Sequence, residues 1–244
     1  MLRLDQLMVE RALCNSREKA KRLILAGQVR VNGHPAHKPS DRVKPVDAIR
    51  VDAGEKFVSR GGQKLEHALD WFQLAVKDFT AIDLGASTGG FTDCLLQRGA
   101  QKVFAVDVGQ GQLAWKLRSD PRVVVMEKTN ARFLQPSQFP APADLAVADC
   151  SFISLKKILP AAAPLLKADG KIIALIKPQF EAGKAEADKG RGVITDPAVH
   201  ERVLTELLNF VNTQTGLVWH GVVESPLLGP AGNKEFLVLI ENNH

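Results

Sequence analysis

Thr80-Ala-Ile-Asp-Leu-Gly-Ala-Ser-Thr-Gly-Gly-Phe-Thr-Asp93 decides the fold. Ala81–Leu84 is an apolar strand that runs into a turn of small residues holding Gly85, Ser87, Gly89 and Gly90. A helical pattern follows at once, with Phe91, Leu95 and Leu96 on one face. A turn feeding a helix N-terminus offers unpaired N–H donors, and glycine lets backbone approach a ligand where a Cβ would collide. After Ala100 a second strand, Lys102-Val-Phe-Ala-Val-Asp107, ends in an acid 22 residues beyond Gly85. An acid at that place can accept both hydroxyls of a ribose. The stretch predicts an adenosine-type pocket.

The turn has neither the G-x-G-x-x-G of nicotinamide and flavin enzymes nor the Gly-Lys-Ser/Thr of a P-loop. Two carboxylates, Asp83 and Asp107, would repel phosphates but suit a ribose, an amino group and a sulfonium. S-adenosylmethionine is the cofactor that fits those charges. The expected contacts are Asp83, Gly85, Ala86, Ser87, Gly89, Gly90 and Phe91 from the turn, with Asp107, Val108 and Asp149 from later strand ends.

From Thr80 onward strands and helices alternate. Strand patterns lie at 81–84, 103–108, 123–127, 145–149 and 171–177, and helical ones at 91–97, 112–117, 155–166 and 197–212. That is the alternation of a doubly wound parallel sheet. Residues 217–223 and 235–241 follow with no helix between them and predict a closing antiparallel hairpin. The fold class is therefore α/β: a Rossmann-like, seven-stranded, mostly parallel sheet whose last strand is antiparallel. In such sheets the reactive side chains gather at the carboxyl ends of the strands. Lys177 there ends an apolar strand and precedes Pro178, so it must leave the core at the pocket rim.

The charge is unevenly spread. Residues 1–60 hold thirteen Lys/Arg against seven Asp/Glu, whereas residues 61–244 hold nineteen against twenty. A basic module joined to a near-neutral body points to a polyanionic partner. Leu4–Val9 reads as a short helix, and Ser16 caps a second one whose inward face is Ala20, Leu23, Ile24 and Gly27. Arg17, Lys21 and Arg22 point outward, with Glu18 near Arg22. Val29–Val31, the Asn32-Gly33 hairpin signal and Ile49–Val51 complete a small α+β domain. The domain reading is 1–55 for this module, 56–62 for a linker and 63–244 for the α/β body.

Cys14, Cys94 and Cys150 are far apart and form no metal-ligand pair, as buried thiols of a reducing compartment would. The opening Met-Leu-Arg-Leu-Asp is charged, unlike a signal peptide, and no window approaches 18 uninterrupted apolar residues. The expected location is the cytoplasm, with no membrane role and no obligatory protein partner.

The first 52 residues resemble the small RNA-binding domain of the S-four, or alpha-L, type. The resemblance rests on Arg3-Leu4-Asp5, Ser16-Arg17, Val29-Arg-Val-Asn-Gly33 and Asp47-Ala-Ile-Arg-Val51. It implies that Arg3, Arg17, Lys21, Arg22 and Arg30 contact RNA phosphates, which set position and affinity rather than sequence choice. The chain as a whole resembles the TlyA family, which bears a haemolysin name and is regarded as a group of rRNA 2′-O-methyltransferases. The motifs are Ser59-Arg-Gly-Gly-Gln-Lys64, Asp83-Leu-Gly-Ala-Ser-Thr-Gly-Gly-Phe91, Ala148-Asp-Cys-Ser-Phe-Ile-Ser-Leu155, Lys177-Pro-Gln-Phe180 and Gly232-Asn-Lys-Glu-Phe236. Related enzymes of the FtsJ kind use a Lys-Asp-Lys-Glu tetrad, which by motif position implies Lys64, Asp149, Lys177 and Glu235 here. The loop Gly183–Gly192, with the family-like Gly190-Arg-Gly-Val193 at its end, is expected to be mobile over the site.

A ribose hydroxyl must lose its proton as it attacks, whereas a sulfonium leaves readily and needs no metal. In-line positioning and proton removal remain. Lys177 is the implied base, and an equal alternative has the tetrad orient the hydroxyl and stabilise alkoxide charge. The expected substrate is a ribose, implied to be cytidine, in 16S rRNA, 23S rRNA or both. The alternatives are a membrane-active haemolysin and a non-catalytic RNA-binding assembly factor.

Overall fold

A computed structural model describes residues 1–52, 56–183, 186, 188, 190–214 and 216–243. They form two compact units, divided between Lys56 and Phe57. Residues 53–55 of the polar connector and residues 184, 185, 187 and 189 of the expected mobile loop lie outside the described residues.

In the first unit β1 (Leu2–Arg3) leads into α1 (Leu4–Glu10), followed by α2 (Arg17–Leu25). The Ser16 hydroxyl caps α2 by accepting the Lys19 N–H at 3.1 Å. Gly27, expected on the inward face, is instead exposed, and its φ of +70° ends the helix in the left-handed region. Glu18 pairs with Lys21 at 4.0 Å rather than with Arg22, because the i,i+3 spacing places that ammonium within reach. β2 (Val29–Val31) turns through Asn32 and Gly33, both at positive φ, into β3 (His34–Pro35). β4 (Arg42–Val43) pairs with β1, and β5 (Ile49–Val51) pairs antiparallel with β2. Leu4, Met8, Ala20, Ile24 and Val29 fill the core between helices and sheet.

The second unit opens with Phe57 buried in its core and α3 (Gly61–Trp71). It continues through β6 (Thr80–Leu84), α4 (Gly90–Gln97), β7 (Lys102–Val106), α5 (Trp115–Arg118), β8 (Val123–Met126), β9 (Ala143–Ala148), α6 (Leu155–Ala162), β10 (Leu166–Ile176), α7 (Pro178–Glu181), α8 (Pro197–Gln214), β11 (Leu217–Glu224) and β12 (Phe236–Asn242). One sheet runs in the order β11-β12-β10-β9-β6-β7-β8. β6 through β10 pair in parallel, and β12 lies antiparallel between β10 and β11. This is the Rossmann-like α/β sheet that the sequence predicts, with the last strand reversed. Strand alternation sorts the core. Ile82, Leu84, Ala146 and Ile172 face α6 and α8, and Ala81, Leu145, Val147 and Ile173 face α3 and α4.

Two segments differ from the sequence pattern. The helix expected over 112–117 shrinks to Trp115–Arg118, because Ala114 is extended (φ −56°, ψ 139°) and its N–H donates to Thr88 O at 3.1 Å. Gly109 N–H donates to Asp107 and Gly111 N–H to Glu127, each at 2.7 Å. The helix expected over 155–166 stops at Ala162, followed by a 3₁₀ turn through Pro164, and β10 starts at Leu166 rather than Lys171.

The chain reverses its direction of travel across the sheet between β6 and β9, so the crevice at their carboxyl ends is the ligand position of such folds. Leu84 pairs with Ala148, and Asp149 N–H donates to Leu84 O at 3.0 Å. A Cβ at Gly85, whose φ is +85°, would lie 2.8 Å from Asp149 O. Gly89 is at φ +96°, and a Cβ there would strike Leu117. A Cβ at Gly90 would strike Ser59 Oγ and lie 2.9 Å from Gly62 N. These glycines thus admit the protein's own backbone and side chains. Because the neighbours at Gly90 include backbone, Gly90→Ala is expected to destabilise the protein by about 1–3 kcal/mol, measured by urea denaturation.

Candidate active site

A cavity of about 670 Å³ opens at the carboxyl edge of the sheet. The turn after β6, the ends of β9 and β10, the start of β12 and the first turn of α3 line it. Lys64, Asp149, Lys177 and Glu235 all reach its wall. The reversed β12 makes this possible: Ile176 pairs with Phe236, so the start of β12 meets the end of β10. Lys177 and Glu235 therefore emerge side by side.

The four residues form two ion pairs. Lys177 Nζ lies 2.6 Å from Asp149 Oδ1 and donates to Ser151 Oγ at 2.9 Å. Lys64 Nζ donates to Glu235 Oε2, and both residues are buried. An ammonium has three donors, so among the described residues Lys177 keeps one for an incoming oxygen. Glu235 Oε1 is buried with no hydrogen-bond partner among the described residues, and Gly229 leaves room for it, since a Cβ there would lie 2.5 Å away.

On the other side of β9 stands Asp83, fully buried. Its Oδ2 accepts Thr92 N–H at 2.9 Å and the Thr92 hydroxyl at 2.7 Å from the first turn of α4. Its Oδ1 is buried without a partner among the described residues, and the residue lines the cavity. Burial, reinforced by the charges of Asp149 and Asp107, pushes its carboxyl up to about 7 despite the two Thr92 bonds. An unpartnered, half-neutral carboxyl on a cavity wall fits a ligand ammonium. Burial beside Asp149 likewise pushes the Cys150 thiol up to about 12, so it is no thiolate nucleophile.

Of the expected cofactor contacts, Asp83, Gly85, Ala86, Ser87, Gly90, Phe91 and Asp149 line the main cavity. Gly89 is buried behind the turn, under Leu113 and Leu117. Asp107 lines a small adjoining pocket with Ala86, Ser87 and Glu127, where its carboxylate accepts Ser87 N–H at 2.7 Å. Val108 does not line either pocket: β7 ends at Val106, and Val108 stands 67% exposed. The cavity adds residues that sequence reasoning quoted within motifs without assigning: Ser59, Arg60, Ser151, Phe152, Gln179 and Asn233. Phe152 is an outlier, 90% exposed at φ +63°, with its ring 5.1 Å from that of Phe180. Asn233 pins the wall near Gly192 by accepting Ile194 N–H and donating to Gly192 O, both at 2.8 Å.

In the first unit the five expected RNA contacts are all on the surface, yet three are held by acids. Arg3 grips buried Asp5 through two bonds of 3.0 and 3.1 Å, and Arg17 adds a third at 3.1 Å. The Arg3 bond is the largest cause holding the Asp5 carboxyl below its ordinary range. Arg30 pairs with Asp52 at 2.8 Å. Lys21 is held only loosely by Glu18, and Arg22 is exposed with no ion pair among the described residues. Among the described residues no helix is long and apolar enough to cross a membrane, and no cluster of His, Cys, Asp and Glu could hold a metal ion.

The FtsJ-like methyltransferase family matches residues 57–242, and the S4 domain matches residues 2–49. The chain is 48% identical to the 16S/23S rRNA (cytidine-2′-O)-methyltransferase TlyA of Mycobacterium tuberculosis, over 97% of this chain and 88% of that protein. It is 41% identical to Hemolysin A of Brachyspira hyodysenteriae, over 97% and 98% respectively. A solved structure of a hemolysin-named protein from Streptococcus thermophilus superposes with a TM-score of 0.75 at 44% identity, covering 99% of this chain and 88% of that one.

The raised Asp83 carboxyl fixes a sign for stability. The folded state holds its proton up to pH about 7 while the unfolded chain releases it near the ordinary value of 3.8, so this group weakens the fold as pH rises between them. Asp83→Asn is therefore expected to gain stability relative to the wild type from pH 4 to pH 7, by up to about 4 kcal/mol. Urea denaturation across that range checks it, and a constant difference refutes it.

Proposed function

The chain belongs to the FtsJ-like methyltransferase family and, within it, to the TlyA group, and on that premise we propose that it methylates the 2′-hydroxyl of a cytidine ribose in ribosomal RNA, with S-adenosylmethionine as donor. The observation that carries this reading is the meeting of Lys64, Asp149, Lys177 and Glu235, as two ion pairs, in one cavity with the glycine turn. Nothing in a membrane-active reading calls for two acid–lysine pairs on one cavity wall.

The residues present suit the donor. Asp83 Oδ1 would take its ammonium, the turn from Gly85 to Ser87 would face its amino-acid and ribose portions, and Asp107 would accept ribose hydroxyls. The bound donor supplies an electrophilic methyl group on a sulfonium, which leaves as a neutral thioether. The chain's own work lies on the acceptor. Lys177 holds the 2′-oxygen with its remaining N–H while Asp149 and Ser151 fix the ammonium in place. As the C–O bond forms and the methyl leaves sulfur, the hydroxyl proton passes to the Asp149 carboxylate, and the two lysine ammoniums offset the negative charge that develops on the oxygen. The Lys64–Glu235 pair braces the wall beside Lys177.

The S4 domain and the exposed basic side chains of α2 support docking on a ribosomal subunit, and the cytoplasm is the compartment where that substrate is found. Lys177→Ala is expected to lower methyl transfer from tritiated donor to ribosomal subunits by about 100-fold or more while S-adenosylhomocysteine still binds. Wild-type rates in this variant would remove Lys177 from the chemistry. Replacing Lys21 and Arg22 with alanine should weaken RNA binding and reduce the slope of log affinity against log salt by about one per lost phosphate contact, read by filter binding across a salt series.

A further inference from the structure

We infer that Gln179 reads the base of the acceptor nucleotide, its Oε1 accepting a hydrogen bond from the exocyclic amine of cytosine. This inference rests on the ribose-methylation reading and deepens it. Gln179 Oε1 is buried, lines the cavity and has no hydrogen-bond partner among the described residues. A buried acceptor left unpaired destabilises the site, which is complete only when a ligand donor fills it.

The sheet order says which ligand that is. The glycine turn and Asp107 stand at the ends of β6 and β7, whereas Gln179 lies in α7, three residues past the end of β10, two strands from β6 on the other side of β9. At about 4.8 Å per strand, that separates it from the donor's half of the crevice by about 10 Å. Gln179 is two residues past Lys177, whose free N–H marks the position of the acceptor ribose. The base attached to that ribose is thus the nearest ligand group with N–H donors. An enzyme acting on an extruded nucleotide reads its Watson–Crick edge by such bonds. Cytosine presents an amine at its 4-position, and uracil presents a carbonyl that would face Oε1 acceptor to acceptor. A site built to pair one and not the other discriminates strongly, because the mismatch leaves a buried group unpaired.

The test compares ribosomal RNA carrying cytidine with the same RNA carrying uridine at the methylated position, once mass spectrometry has mapped that position. Wild-type protein is expected to favour cytidine by about 10- to 100-fold in kcat/KM. Gln179→Leu should lose that preference by methylating cytidine more slowly, and Gln179→Glu, which keeps the acceptor, should retain it. Binding of S-adenosylhomocysteine, followed by calorimetry, should be unchanged in both variants. A Gln179→Leu protein that keeps the wild-type preference overturns the inference, as does one that has lost S-adenosylhomocysteine binding, which would place Gln179 on the donor side. Wild-type protein that transfers no methyl group to either RNA overturns the ribose-methylation reading itself, and this inference with it.

Discussion

The buried ion pair between Lys64 and Glu235 joins the first helix of the α/β unit to its last strand, across 171 residues of chain. Two charges removed from water seldom add net stability, and apolar residues of the same shape often do as well. Removing one partner is another matter, at about 3–5 kcal/mol, because it strands a buried charge. The pair therefore constrains more than it stabilises. It can form only if β12 runs antiparallel, since only then does a strand begin, rather than end, at the edge where the cavity lies. The reversed strand is the constraint on which the arrangement of the site depends.

A second constraint is electrostatic. Asp83, Asp107 and Asp149 stand near the carboxyl ends of three neighbouring strands, and burial first, then the charges of Asp149 and Asp107, make Asp83 harder to ionise. Lys177 offsets Asp149, and the amides of Ser87 and Gly109 offset Asp107. Asp83 has only Thr92 on one oxygen, and its other oxygen waits for a donor. The unpaired acceptors that line the cavity, Asp83 Oδ1, Glu235 Oε1 and Gln179 Oε1, are spread along its wall from β6 to β12. A cavity with this surplus is matched to ligands rich in hydroxyls, amines and positive charge.

The first unit uses acids differently. Buried Asp5 gathers Arg3 and Arg17, orienting two guanidinium groups while leaving each partly exposed. Arginine held this way has lost part of its conformational freedom before it meets a phosphate, so less entropy opposes contact. Lys21 and Arg22 lie beside them on α2 with looser restraint.

Local pattern determined most of the fold. The strand-turn-helix at Thr80–Asp93, the short continuous apolar runs and the Ser16 and Asn32-Gly33 signals each carry their geometry in a few adjacent residues. Lys64, Asp149, Lys177 and Glu235 are named through the resemblance to FtsJ-type enzymes, since each sits inside a distinctive run, and the structure brings all four to one cavity. Other features were decided only in three dimensions. The glycines of the turn are demanded by Asp149, Ser59 and Leu117, distant in sequence, which no local pattern can announce. Val108 falls outside the cavity because β7 stops at Val106, and the helix over 112–117 starts late because Ala114 N–H goes to Thr88 O, remote in sequence. The pairing of Lys64 with Glu235 and of Lys177 with Asp149, and the unpaired oxygens of Asp83 and Gln179, follow from strand order and register. Sequence fixes which groups are available, and only the assembled sheet fixes which of them meet, because pairing across it depends on the alignment of strands that are remote along the chain.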